Sequence, residues 1–182
     1  MPTSKDILYS AGKNDECYTP RYGVIPILKH IKNRFPIENN KVTIWCPFDK
    51  EDSEFVKVFK ENGYKVIASH IENGEDFYTY EPKEHWDCII SNPPFSGKRQ
   101  IFKRAMSFDK PFALMFSMTW LNDAAPKEIF MEENKQMQML MFDKRIKFLN
   151  NGVVQNKITF STGYLCWDFL LKDIICERLE IK

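Results

Sequence analysis

Apolar residues fall at Val24, Ile27, Leu28, Ile31 and Phe35, three and four apart, so the pattern predicts a helix over 21–35 with one buried face. Pro36, which has no backbone N–H to offer, ends it. A β-rich run at 42–45 follows and stops before Pro47. Asp52 or Ser53 is placed to cap a second helix, with Phe55, Val56 and Phe59 on one face and Gly63 as its stop. Residues 65–69 read as a second strand. Strand, helix and strand together have the length of one βαβ unit, so the two strands should be parallel neighbours. Further strands are expected at 87–91 and 112–118, the second an unbroken apolar run suited to a position buried on both faces. Helices are expected at 98–108 and 127–134, and strands at 137–142 and 164–171. No helix separates these last two strands; between them lies a polar stretch holding Asn150-Asn151-Gly152, so the pattern allows one to run antiparallel. Residues 1–19 are polar and read as an arm. The whole describes an open, mostly parallel α/β sheet that binds ligands at the carboxyl ends of its strands.

Composition narrows the picture. The chain has 182 residues, 43% hydrophobic and 28% charged, which fits one folded domain over 1–182 and excludes a disordered or collagen-like chain. A chain of this length buries about 70% of its unfolded surface, so it folds without a metal or disulfide. Its 26 basic and 25 acidic residues nearly cancel, which excludes a histone-like polycation; any nucleic-acid surface must be a local patch. The five cysteines are odd in number and widely spaced, with no Cys-x-x-Cys. That argues against a disulfide framework or a zinc site of cysteine pairs, and for small buried side chains in a reducing cytoplasm. The N-terminus, Met1-Pro2-Thr3-Ser4-Lys5-Asp6, lacks the apolar core of a signal peptide. No apolar run approaches the roughly 18 residues that span a bilayer, so the expectation is a soluble cytoplasmic protein, monomer or dimer.

The sharpest chemical feature is Ser91-Asn92-Pro93-Pro94-Phe95, directly after the apolar run Cys88-Ile89-Ile90 and therefore at the carboxyl end of a strand. Two consecutive prolines fix the backbone and remove two donors. Asn92 and Phe95 are then held rigidly on either side of them. This suits activation of an amino group. The Asn92 side-chain oxygen and the Pro93 carbonyl accept hydrogen bonds from one NH2 and turn its lone pair into a nucleophile. The Phe95 ring stacks on the base that carries the amine.

These residues resemble the signature Asp/Asn/Ser-Pro-Pro-Tyr/Phe/Trp of the amino-methyltransferases that use S-adenosylmethionine. The chain looks most similar to the small, phage-type DNA N6-adenine methyltransferases. The resemblance implies a class I, Rossmann-like α/β fold with helices on both faces and an antiparallel strand near the C-terminus. It also implies S-adenosylmethionine as cofactor. Tyr18-Thr19-Pro20, just before the first helix, is similar to the family motif that lies against the methionine end of the cofactor. Asp76-Phe77 resembles the family's Asp-Phe element, whose carboxylate accepts from the cofactor's adenine amine while the ring packs on the purine.

One part departs from the family. Its loop after the first strand is normally rich in glycine, whereas here Trp45-Cys46-Pro47-Phe48-Asp49-Lys50-Glu51-Asp52-Ser53 contains none. Asp49 or Ser53, with the backbone N–H groups opening the second helix, are left to meet the amino-acid end of the cofactor. The acidic residue expected after the second strand is also missing; Ser69-His70 stands there, and His70 offers one ribose hydrogen bond. Some small phage-type members carry a Trp-x-Pro-Phe loop in this place, which brings Pro47 and Phe48 to the cofactor.

Two basic clusters suit phosphates. Lys98, Arg99, Lys103 and Arg104 follow the Asn-Pro-Pro-Phe motif, and Lys144, Arg145 and Lys147 form the second. Arg145 and Phe148 resemble the family's Arg-x-x-Phe near the target base. The implied partner is double-stranded DNA with the adenine flipped out, and no membrane. There is no room for a separate target-recognition domain. Alternatives on the same residues are an RNA adenine or protein glutamine methyltransferase, whose targets are also planar NH2 groups, or an inactive relative that only binds. No metal is implied.

Overall fold

The computed structural model describes residues 18–150, 153–154 and 160–181. Most of the N-terminal arm, Cys17 and the Asn151-Gly152 pair lie outside them.

The first helix is two. Helix α1 (Arg21–Val24) and helix α2 (Ile27–Arg34) meet at Ile25 and Pro26, where the missing proline N–H interrupts the ladder. Strand β1 (Thr43–Cys46) leads to helix α3 (Glu54–Glu61) and strand β2 (Lys65–Ala68). Ser53, rather than Asp52, caps α3, its Oγ accepting from Val56 N at 3.2 Å. Gly63 ends that helix with φ near +83°, a conformation without penalty for glycine. Strand β3 (Cys88–Ser91), helix α4 (Lys98–Ser107), strand β4 (Phe112–Ser117), helix α5 (Ala125–Glu132) and strand β5 (Gln138–Phe142) follow in alternation. Helix α5 starts two residues earlier than its pattern suggests, with Pro126 in its first turn. A short hairpin, β6 (Leu149–Asn150) with β7 (Val153–Val154), precedes strand β8 (Thr162–Trp167). Asp168, at φ near +48°, turns the chain out of β8 earlier than expected. Strand β9 (Ile174–Glu177) has no counterpart in the sequence reading.

Seven strands form one sheet in the order β2-β1-β3-β4-β8-β5-β9. β1 and β2 pair in parallel, as do β1 with β3, β3 with β4 and β5 with β9. β8 alone is reversed, antiparallel to both β4 and β5. The alternation of side chains puts Ile44, Cys46, Cys88 and Ile90 into one apolar layer with Ile27, Ile31, Phe55 and Phe59 from α2 and α3. Trp45, Ile89, Phe112 and Leu114 face the other layer with Ile101, Phe102, Ile129 and Phe130 from α4 and α5. Helices therefore cover both faces, and β1, β3 and β4 are buried throughout. Cys46, Cys88 and Cys166 are buried as small apolar side chains, while Cys176 is exposed. Among the described residues no helix is long and apolar enough to cross a membrane.

From β1 the chain moves outward to β2, then returns to place β3 on the other side of β1. That reversal opens a crevice at the carboxyl ends of β1 and β3, the general ligand position of open α/β sheets.

Candidate active site

Three segments meet at this crevice. Asn92 and Pro93 follow β3, Asp49 follows β1, and Thr19 lies just before α1. Asn92 Nδ2 donates to Thr19 Oγ1 at 3.1 Å. This turns Nδ2 toward Thr19 and leaves Oδ1 as the accepting side of the amide. Thr19 is itself buried, and its hydroxyl sits 3.9 Å from Met115 Sδ on β4. Tyr18 closes the segment by pairing with Leu149 of β6, with N–H···O distances of 2.8 and 2.9 Å, and its own ring is exposed. Pro20, Pro47 and Pro93 are buried, and Pro94 is half-buried.

Asp49 is a carboxylate in an apolar place. It is buried, and it accepts from Ser91 Oγ, with Ser53 as a second hydroxyl partner. Burial outweighs these hydrogen bonds and pushes its pKa up to about 6. Through Ser91, the residue before Asn92, the β1 loop is tied to the Asn-Pro-Pro-Phe segment. The sequence marks Asp49, Ser53 and the motif that Ser91 opens, but not the Ser91–Asp49 bond, because nothing local makes a strand-terminal serine the partner of a residue after another strand.

The outer side of the crevice is built by the loops after β1 and β2. Phe48 packs on Phe77 at 4.8 Å between ring centroids, and Phe77 packs on the buried Trp45 at 5.4 Å. Asp76 Oδ1 accepts from Tyr78 N at 3.0 Å, an Asx turn that fixes the carboxylate beside Phe77. His70 Nδ1 accepts from Glu72 N at 3.3 Å, so its proton sits on Nε2 and that atom is a donor. Lys50 and Glu72 pair at 2.6 Å and link the two loops.

The opposite side is aromatic. The half-buried Phe95 meets Phe148 at 6.1 Å and Phe160 at 5.6 Å, both nearly edge-on. Lys98 Nζ lies 5.6 Å from the ring centres of both Phe95 and Trp120. Phe160 and Trp120 were not legible beforehand, since no motif distinguishes them from core aromatics.

The basic helix is less available than its sequence suggests. Arg99 bonds Glu128 at 3.0 Å and Glu132 at 3.2 Å, and Lys103 bonds Glu132 at 2.6 Å. Arg104 stacks on Phe108 at 4.3 Å, its Nε donating to the Phe77 carbonyl at 3.4 Å. Of these four cations, the structure brings Lys98 to Phe95. Arg145 and Lys147 are exposed on the segment leading to the buried Phe148, while Lys144 Nζ donates to the Leu179 carbonyl at 3.2 Å.

The sheet order, the single reversed strand and the switch-point crevice define the class I methyltransferase fold, a Rossmann-like architecture. A solved structure with this fold is a Listeria monocytogenes protein described as a proposed class I S-adenosylmethionine-dependent methyltransferase. It superposes with a TM-score of 0.55 at 10% identity, over 89% of this chain and 65% of its own, so the chain spans less than two thirds of that protein's length. At that identity the likeness is one of fold. No family model matches the sequence, and no curated protein is similar to it.

Proposed function

We propose that this protein transfers a methyl group from S-adenosylmethionine to the N6 amine of a flipped-out adenine in DNA. The reading rests on Asn92-Pro93-Pro94-Phe95 at the switch-point end of β3, with the Asn92 amide oriented by Thr19.

The residues around the crevice fit the cofactor. Asp49, a buried carboxylate with no ion pair among the described residues, suits the ammonium of a methionine group. The N–H groups opening α3 suit its carboxylate. The half-buried Phe48, backed by the buried Phe77, offers an apolar face for a purine, Asp76 an acceptor for its amine, and His70 Nε2 a donor for a ribose hydroxyl. Thr19 and Pro20 border the reacting end. Bound there, S-adenosylmethionine supplies an electrophilic methyl group on a sulfonium.

The chain's own residues do the rest. Asn92 Oδ1 and the Pro93 carbonyl accept hydrogen bonds from the two N6 hydrogens and free the nitrogen lone pair; one of these protons passes to water once the nitrogen is methylated. Pro93 and Pro94 hold these acceptors still, so little reorganisation accompanies reaction. Phe95, braced edge-on by Phe148 and Phe160, stacks on the adenine. Lys98 and Arg145 serve the phosphates beside the extruded nucleotide.

The test is methyl transfer to unmethylated duplex DNA, read as N6-methyldeoxyadenosine by mass spectrometry after digestion. Asn92→Ala should lower turnover by at least about 100-fold while binding of S-adenosylhomocysteine persists. Turnover at the wild-type rate in Asn92→Ala overturns the assignment. Cofactor binding without DNA methylation would move the substrate to an RNA adenine or a protein amide.

A further inference from the structure

Among the described residues, the hydroxyl of Tyr78 is shut away from solvent and meets no hydrogen-bond partner. A buried donor without an acceptor destabilises the fold, so the atom calls for an acceptor that these residues do not provide. Its location says what kind. Tyr78 N is anchored on Asp76 Oδ1 at 3.0 Å, and its ring lies 6.4 Å from Phe77, which in turn packs on Phe48 at 4.8 Å. Tyr78 therefore stands in the loop after β2 that meets the loop after β1, beside the half-buried Phe48, the buried Phe77 and the Asp76 carboxylate.

We propose that Tyr78 is a further cofactor-binding residue whose hydroxyl donates a hydrogen bond to the adenosyl end of S-adenosylmethionine; this rests on the cofactor reading above. Adenine presents an amine donor flanked by ring-nitrogen acceptors. Asp76 and Tyr78, two residues apart, present an acceptor and a donor in return. Burial, with the Asp76 charge as a smaller contribution, pushes the phenol up to about 12, so it remains a donor at neutral pH. The missing acidic residue after β2 gives such a donor a purpose, because the usual grip on the adenosyl group is reduced there.

The test is Tyr78→Phe in the full chain, with calorimetric binding of two probes, S-adenosylhomocysteine and 5′-methylthioadenosine. The second probe lacks the amino-acid end. Both dissociation constants should rise by the same factor, about 3–10-fold for one neutral hydrogen bond. The ligand-free protein should unfold at the same temperature or a higher one, because an unmet donor has been removed. Unchanged affinity for both probes overturns the proposal. So does a lower unfolding temperature of the ligand-free variant, which would give the hydroxyl a partner within the chain, or a loss confined to S-adenosylhomocysteine. If the wild-type protein binds neither probe, the cofactor reading itself fails and this inference falls with it; binding by wild type with no effect of the variant removes the inference alone.

Discussion

Asp49 carries the clearest consequence at the scale of one residue. Its folded pKa of about 6 stands above the ordinary 3.8 because burial opposes the charge. Below 3.8 both folded and unfolded chains hold the proton, and the group has no net effect. Between 3.8 and 6 the unfolded chain releases it first, so stability falls as pH rises through this window. Above it the folded protein bears a penalty on the order of 3 kcal/mol, from a shift of about two pKa units. Asp49→Asn should remove that penalty. Urea unfolding at about pH 7 should show the variant more stable by about 1–3 kcal/mol, with the difference vanishing near pH 4. Equal stability at both pH values would mean that the carboxylate is not desolvated. The same substitution should weaken binding of a ligand ammonium, so stability and binding should move in opposite directions.

Local elements follow from local residues, but their boundaries respond to contacts. Proline at 26 splits one expected helix into α1 and α2, and Ser53 caps α3 by a single side-chain bond. Strand β8 lies between β4 and β5 and runs antiparallel to both. A Cβ added at Gly163 would stand 2.4 Å from the Leu140 carbonyl oxygen on β5, far inside contact distance. The obstacle is backbone, which cannot rotate away. Gly163→Ala should therefore cost about 2–4 kcal/mol in chemical denaturation, or prevent accumulation of folded protein. A loss below about 0.5 kcal/mol would show that β5 yields freely at this point.

At the scale of the molecule, charge is distributed by tertiary pairing. The net charge of +1 gives no global attraction for DNA, so the proposed binding would depend on local cations near Phe95. Arg99 and Lys103 pair with Glu128 and Glu132 across the α4–α5 contact, and Lys98 Nζ lies 5.6 Å from the Phe95 ring centre. If Lys98 meets a phosphate, Lys98→Ala should lower the slope of log affinity against log salt by about 1. Lys103→Ala should change it less, as measured by fluorescence anisotropy on one duplex. Equal slopes for the two variants would assign the phosphate contacts elsewhere.

The periodicity of apolar positions determined most strands and helices, because side-chain spacing is a local property of 2.0 or 3.6 residues. Residue identity, not periodicity, marked Asn92-Pro93-Pro94-Phe95, whose chemistry lies in consecutive residues; periodicity set the strand before it. It did not indicate β9, whose residues alternate between exposed and half-buried at the sheet's edge and carry no apolar stripe. Only the tertiary structure joined Thr19 to Asn92, Asp49 to Ser91 and Phe95 to Phe160, pairs far apart in the chain. Strand order decides these meetings, and strand order depends on which faces bury one another rather than on any single segment. The same holds for the basic residues of α4. Their sequence states the charge, but packing against α5 decides which of them pair with its carboxylates.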